Sequence, residues 1–200
     1  MAVEMWTTGI AHVAYAPRAA VRAEAAGWDG MVVVDSQNLS GDPFVALALA
    51  GRETSSLRLG TGVTNPATRH PAATAAAIAS VHVASGGRAV LGVGRGDSAL
   101  AHLGVAPATV SELERFVRLT RGYLRGDAIA FDELRPYDRP DARPIDQLGL
   151  AERPRDSRLH WLPADLEPVP VEVVATGPRA LHLAGTGADR TLLALSLIHI

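Results

Sequence analysis

The chain contains no cysteine, which excludes disulfides, thiolate metal sites and a cysteine nucleophile. Aromatic residues are scarce, at 4%. A core built here must therefore rest on Ala, Val and Leu, which suits helices lying close on strands. No run of about 20 apolar residues occurs, so no transmembrane helix and no membrane partner are expected. The start, Met1 to Trp6, lacks a basic leader followed by an apolar stretch. No signal peptide is expected, and a cytoplasmic protein is the default. The formal net charge is -2 over 200 residues, so no global basic field points to nucleic acid. There is no G-x-S-x-G elbow for an α/β-hydrolase and no G-x-x-x-x-G-K-[ST] loop for an NTPase. The seven histidines, among them His12, His70, His82 and His102, show no metal-ligand spacing, and no metal site is expected.

What is present is an ordinary globular balance, 48% hydrophobic and 20% charged, in which short apolar runs alternate with helical stretches. Gly30 to Asp35 is apolar and β-branched, as a strand buried on both faces should be. Leu57 to Val63, Arg88 to Gly94, Val171 to Ala175 and Arg190 to Ala194 read as further strands, and Met5 to Ile10 as a weaker first one. Helices are expected from Pro17 to Gly27, from Asp42-Pro43 to about Thr54, and from His70 to Ala84. Two more run from Ser111 to Arg125 and from Pro178 to Gly185. Asp42 reads as an N-cap with Pro43 in the first turn, and Ser111 to Glu114 as an approximate capping box. The order is a repeated βα unit with about six strands, all parallel by the crossover rule.

Two α/β architectures compete: an open doubly wound sheet and a (β/α)8 TIM-barrel type. A barrel needs about 250 residues, or at least about 200 without insertions, so the chain is expected to hold an incomplete one. Residues 1–200 read as a single domain. Residues 126–170, rich in Pro, Arg and Asp, interrupt the rhythm and read as an insertion or lid over the site. The apolar end from Thr191 to Ile200 lacks the polar loop expected after a strand, and residues 195–200 read as a foreign tail.

Three glycine-bearing loops fall at predicted C-terminal strand ends, where α/β proteins place ligands. In Thr61 to Pro66, Gly62 allows a flat ring close to the backbone and Asn65-Pro66 forces a turn. In Gly92 to Ser98, backbone N–H groups with Arg95 and Ser98 suit a phosphate. In Ala175 to Arg179, a Gly-Pro helix start with Arg179 makes an anion site. Each alone is equally a turn leading into a helix. Their joint placement on one face favours a phosphorylated cofactor. Asp35 ends a buried strand on that face, as a ligand contact or as a cap.

Gly62 to Pro71 and Ser85 to Ser98, with Val32 to Gln37 and Thr176 to Arg179, resemble the luciferase-like monooxygenase superfamily. Within it, the similarity is to the coenzyme F420-dependent branch that includes methylenetetrahydromethanopterin reductase. The resemblance covers about Met5 to Ala194. It implies a (β/α)8 barrel with the cofactor at the C-terminal strand ends, and a non-prolyl cis peptide at Gly62-Val63 forming a bulge behind the ring. It implies hydride transfer between F420 and an organic small-molecule substrate, with FMN-dependent oxygenation as the alternative. A non-catalytic, cofactor-binding or inactive fragment is the reading from another class. On this resemblance Gly62, Val63 and Thr64 back the ring, and Gly94, Arg95, Gly96, Ser98, Gly177 and Arg179 hold the tail. Asp35 is the polar side chain nearest the reacting face. Family members often dimerise, so a homodimer is the implied assembly.

Overall fold

The computed structural model describes residues 4–138, 141, 143, 147–149 and 154–193. Six strands follow the chain order: β1 (Trp6–Gly9), β2 (Gly30–Val33), β3 (Arg58–Thr61), β4 (Ala89–Val93), β5 (Val171–Ala175) and β6 (Arg190–Leu193). All adjacent pairs are parallel, and the sheet order is β1-β2-β3-β4-β5-β6. A doubly wound sheet reverses its strand order at a switch point. This sheet does not, so the barrel type prevails over the open alternative.

The helices are α1 (Ala16–Ala25), α2 (Pro43–Glu53), α3 (Pro71–Ala84), α4 (Asp97–Ala101), α5 (Val110–Leu124), α6 (Phe131–Leu134) and α7 (Pro178–Gly187), with a 3-10 turn at Arg135–Tyr137. They cover one face of the sheet. Met31, Val33, Leu59, Leu91, Val93, Val171 and Val173 point to that face and form one core with Ala20, Leu47, Ile78, Phe116 and Leu183 of the helices. Alternate residues therefore face inward, as the pleat requires. Glu172 and Val174 do so on β5, half-buried between fully buried neighbours.

The sheet curls far enough for one side chain to bridge its two edges. Arg190 on β6 reaches Glu4, just before β1, at 2.6 Å, and its guanidinium lies 5.3 Å from the Trp6 ring centre on β1. The same arginine contacts Glu172 at 3.4 Å. Trp6 fills the inner floor over β2: a Cβ on Gly30 would lie 2.5 Å from the indole.

Local chemistry sets the element ends. Asp42 caps α2, its Oδ1 accepting from Phe44 N at 2.8 Å and Val45 N at 3.1 Å. The His70 Nδ1 accepts from Ala72 N at 3.1 Å and caps α3. The capping box of α5 is Thr109 with Glu112, not Ser111 with Glu114, because the helix begins at Val110. Arg88 joins three elements. Its Nε donates to Ser85 O, one terminal nitrogen to Leu57 O and Thr54 Oγ1, and the other to Gly51 O and Thr54 O. Every N–H of the guanidinium is thus used.

The sequence reading did not anticipate α4 or α6. Among the described residues of 126–170, one antiparallel bridge joins Ile129 and Ser157, and α6 follows Ile129. Residues 194–200, with the foreign-tail reading, lie outside the described residues. Among the described residues, no helix is long and apolar enough to cross a membrane.

Candidate active site

The ladder between β3 and β4 breaks just past Thr61. Gly62 N still donates to Val33 O at 2.8 Å, and the Gly62-Val63 peptide bond is cis. The chain rejoins β4 at Thr64, whose N donates to Gly92 O and whose O accepts from Gly94 N, both at 2.9 Å. Gly62 and Val63 therefore bulge toward the inner face. Close packing there demands glycine opposite: a Cβ on Gly94 would lie 2.8 Å from Val63 Cγ2.

The next loop turns on Gly96, at φ 82°, which is left-handed backbone that suits glycine. Asn65 sits directly beneath it, 2.8 Å from where a Cβ would be. The Asn65 Oδ1 accepts from Ala67 N and Thr68 N at 3.1 Å each, holding the turn after the bulge. Arg95 is pinned to the following loop, its Nε donating to Ala108 O at 2.6 Å.

These pieces enclose a cleft of about 350 Å3 at the C-terminal strand ends. Asp35, Gly62, Val63, Gly94, Arg95, Gly96 and Ser98 all line it. Of the other expected residues, Thr64 is fully buried behind the lining. Gly177 caps α7 next to Thr176, which does line the cleft. Arg179 is not brought in: it lines a separate groove with His182 and Glu114. Sequence reasoning missed Ser36, Asp97, Val174 and Thr176, which line it together with the apolar Val34, Leu39, Ala99 and Ala180. Asp97 and Ser36 stand beside residues already singled out. Val174 was legible from strand alternation alone. The described part of 126–170 contributes nothing to this lining. Its Pro136 and Tyr137 line a neighbouring cleft instead.

Asp35 is buried, and three donors hold its carboxylate: Gln37 Nε2 at 2.6 Å, Thr64 Oγ1 at 2.7 Å and Arg69 Nη1 at 2.9 Å. Arg69 also pairs with Asp42 at 2.5 Å and lies 4.9 Å from the Phe44 ring centre. Burial pushes the Asp35 pKa above the ordinary carboxylate value, and the bond from Thr64 and the charge of Arg69 oppose it. The cluster ties the end of β2 to the bulge and to the start of α2. The buried Ser36 hydroxyl lining the cleft has no hydrogen-bond partner among the described residues.

The profile described as luciferase-like monooxygenase matches residues 2–198. The chain belongs to the luciferase-like monooxygenase family. Within this family, it is 33% identical over 175 residues to 5,10-methylenetetrahydromethanopterin reductase of Methanolobus tindarius, covering 86% of this chain and 47% of the relative. It is 32% identical over 168 residues to F420-dependent hydroxymycolic acid dehydrogenase of Mycobacterium tuberculosis, covering 78% and 40%. The chain thus spans about half the length of the curated relatives it matches. Among solved structures, the F420-dependent tetrahydromethanopterin reductase from Methanopyrus kandleri aligns with a TM-score of 0.71 at 23% identity. That alignment covers 96% of this chain and 56% of the other. EDTA monooxygenase from Chelativorans aligns with a TM-score of 0.67 at 17% identity, with the same coverage. The luciferase-like fold expected from the motifs is the fold observed.

Proposed function

We propose that the chain is the cofactor-binding portion of an F420-dependent oxidoreductase that transfers a hydride between F420 and an organic substrate. The carrying observation is the cleft itself. Its floor is bare backbone and small apolar side chains, Gly62, Val63, Gly94 and Val174, which suits a flat ring. Its rim supplies hydrogen-bonding groups without carbon bulk: the orphaned Ser36 hydroxyl, Ser98, Thr176 and the loop around Gly96. Relatives that are 31–33% identical to this chain over the aligned 150–179 residues are named for the same cofactor.

On this reading Gly62 and Val63 back the ring, and Thr64 keeps the bulge in place through Asp35. Gly94, Arg95, Gly96 and Ser98 hold the tail, helped by the N-terminus of α7 at Gly177. Arg179 serves only by its charge, from the adjoining groove. Asp35 lies at the ring end of the cleft as its buried polar wall. When bound, F420 supplies the hydride chemistry; the protein positions it and excludes water.

The test is a fluorescence titration of the protein with F420 and, separately, with FMN. Micromolar F420 binding with no FMN binding is the expected result. Gly94→Ala, which drives a Cβ against Val63, is expected to weaken F420 binding about tenfold, the scale of one misplaced methyl in a fitted pocket, while circular dichroism stays native. FMN binding in place of F420 moves the assignment to a flavin-dependent monooxygenase. Binding of neither overturns the redox reading.

A further inference from the structure

A second cleft, of about 450 Å3, opens beside the first. The two share a wall. Ala108 N donates to Arg95 O at 3.0 Å and Arg95 Nε donates back to Ala108 O, so Arg95 lines one cleft and Ala108 the other. Pro66 and Ala67, just past the bulge, line its near side.

Its walls are stiff and apolar: Pro66, Pro107, Pro136 and the ring of Tyr137. Tyr137 is held from behind by His70, edge to face with ring centres 4.9 Å apart. Such walls lose little conformational freedom when a ligand enters.

Two opposite charges line the cleft, Glu112 and Arg115, and they act on each other without forming an ion pair. Helix α5 and its cap carry four arginines. Arg118 pairs with Glu133, Arg121 with Asp189 and Arg125 with Asp127. Arg115 forms no ion pair among the described residues, and it is the one of the four that lines this cleft. It is half-buried. The Glu112 carboxylate is drawn toward Thr109, its Oε2 accepting from N at 2.7 Å and from Oγ1 at 2.8 Å. A guanidinium facing apolar walls recognises a carboxylate in paired geometry.

We propose that this second cleft binds a carboxylate-bearing molecule with a flat apolar body. The body lies between the proline wall and Tyr137, and the carboxylate lies on Arg115. The site does not depend on which cofactor the neighbouring cleft takes, so it is tested without one.

The probes are naphthoate and its neutral counterpart naphthamide, followed by calorimetry and by NMR of the tyrosine ring protons. Naphthoate is expected to bind saturably, and naphthamide at least about tenfold more weakly, the scale of one charge-assisted contact. Arg115→Gln abolishes that preference and Arg115→Lys keeps part of it. Tyr137 ring signals, assigned by their loss in Tyr137→Leu, shift on adding naphthoate. If Arg115→Gln does not fold, the naphthoate preference and the Tyr137 shift in the native protein decide. Equal binding of the two probes, undiminished naphthoate binding by Arg115→Gln, an unmoved Tyr137 or the absence of saturable binding each overturns the proposal.

Discussion

Asp35 is a carboxylate almost out of water, and each of its contacts has a different purpose. Gln37 and Arg69 orient it, while Thr64 carries its grip to the bulge. Replacing Thr64 with valine keeps the shape and deletes one donor to a buried charge. The expected loss is about 1–3 kcal/mol in urea unfolding, the usual cost of orphaning a buried polar group. The pH dependence follows from the direction of the Asp35 shift. Its pKa is raised in the folded state, so the folded form holds its proton more tightly than the unfolded chain does. Stability from this group therefore declines as pH rises through its titration. Thr64→Val removes an opposing bond, so the gap between variant and native protein should be wider at neutral than at acid pH. Asp35 illustrates how far residue identity carries an argument. Its place at a strand end was readable in Val32 to Gln37. Its partner Arg69, 34 residues away, was not, because nothing local announces which loop folds back to meet it.

At the scale of elements, joints between helices and strands rest on single side chains. Glu24 near the end of α1 accepts from the backbone N–H groups of Ser55, Ser56 and Leu57 and from the Ser56 hydroxyl, all through Oε1. These bonds, led by that of Ser56, lower its pKa from 4.5 to about 2. A depressed carboxylate stabilises above its unfolded value and loses that contribution as pH falls toward the folded one. Glu24→Gln should therefore be less stable than native protein at neutral pH. The difference should close between pH 4.5 and about 2 in an acid-unfolding series. The strands and the five longer helices were legible because alternation, Pro at helix starts and Gly at turns are local signals. Asp42 capping α2 is the plainest case. The start of α5 differs by one residue because Ser111 and Thr109 offer the same chemistry, each with Glu three positions on, and the backbone turns helical early enough for Thr109 and Glu112 to close the box. Helix α4 escaped notice because its five residues are too few for a periodic pattern and it begins from a left-handed glycine. In the site, the glycine loops were visible as a class. Arg179 was grouped with them on sequence adjacency, and the turn of α7 carries it to another groove.

For the molecule as a whole, the inner floor is held by charge as well as by packing. Glu172 is half-buried inside the curl, and burial raises its pKa against the pull of Arg190. Arg190→Met would leave Glu172 and Glu4 without their shared cation. The variant should lose stability relative to native protein progressively as pH rises through the carboxylate range, because it is the ionised, unpaired Glu172 that is costly. Urea unfolding at acid and at neutral pH checks this, and Trp6 emission should shift to the red as its cation neighbour and cover are lost. The same contact bears on the order in which the chain can assemble. Strands β1 to β4 pair with partners close in sequence, so that part of the sheet can grow as the chain emerges during synthesis. Glu4 and Arg190 are 186 residues apart. Strand β1 must therefore wait, its inner face uncovered, until the residues up to Arg190 have been made. During that interval Trp6 and its neighbours are the surface that a chaperone would meet.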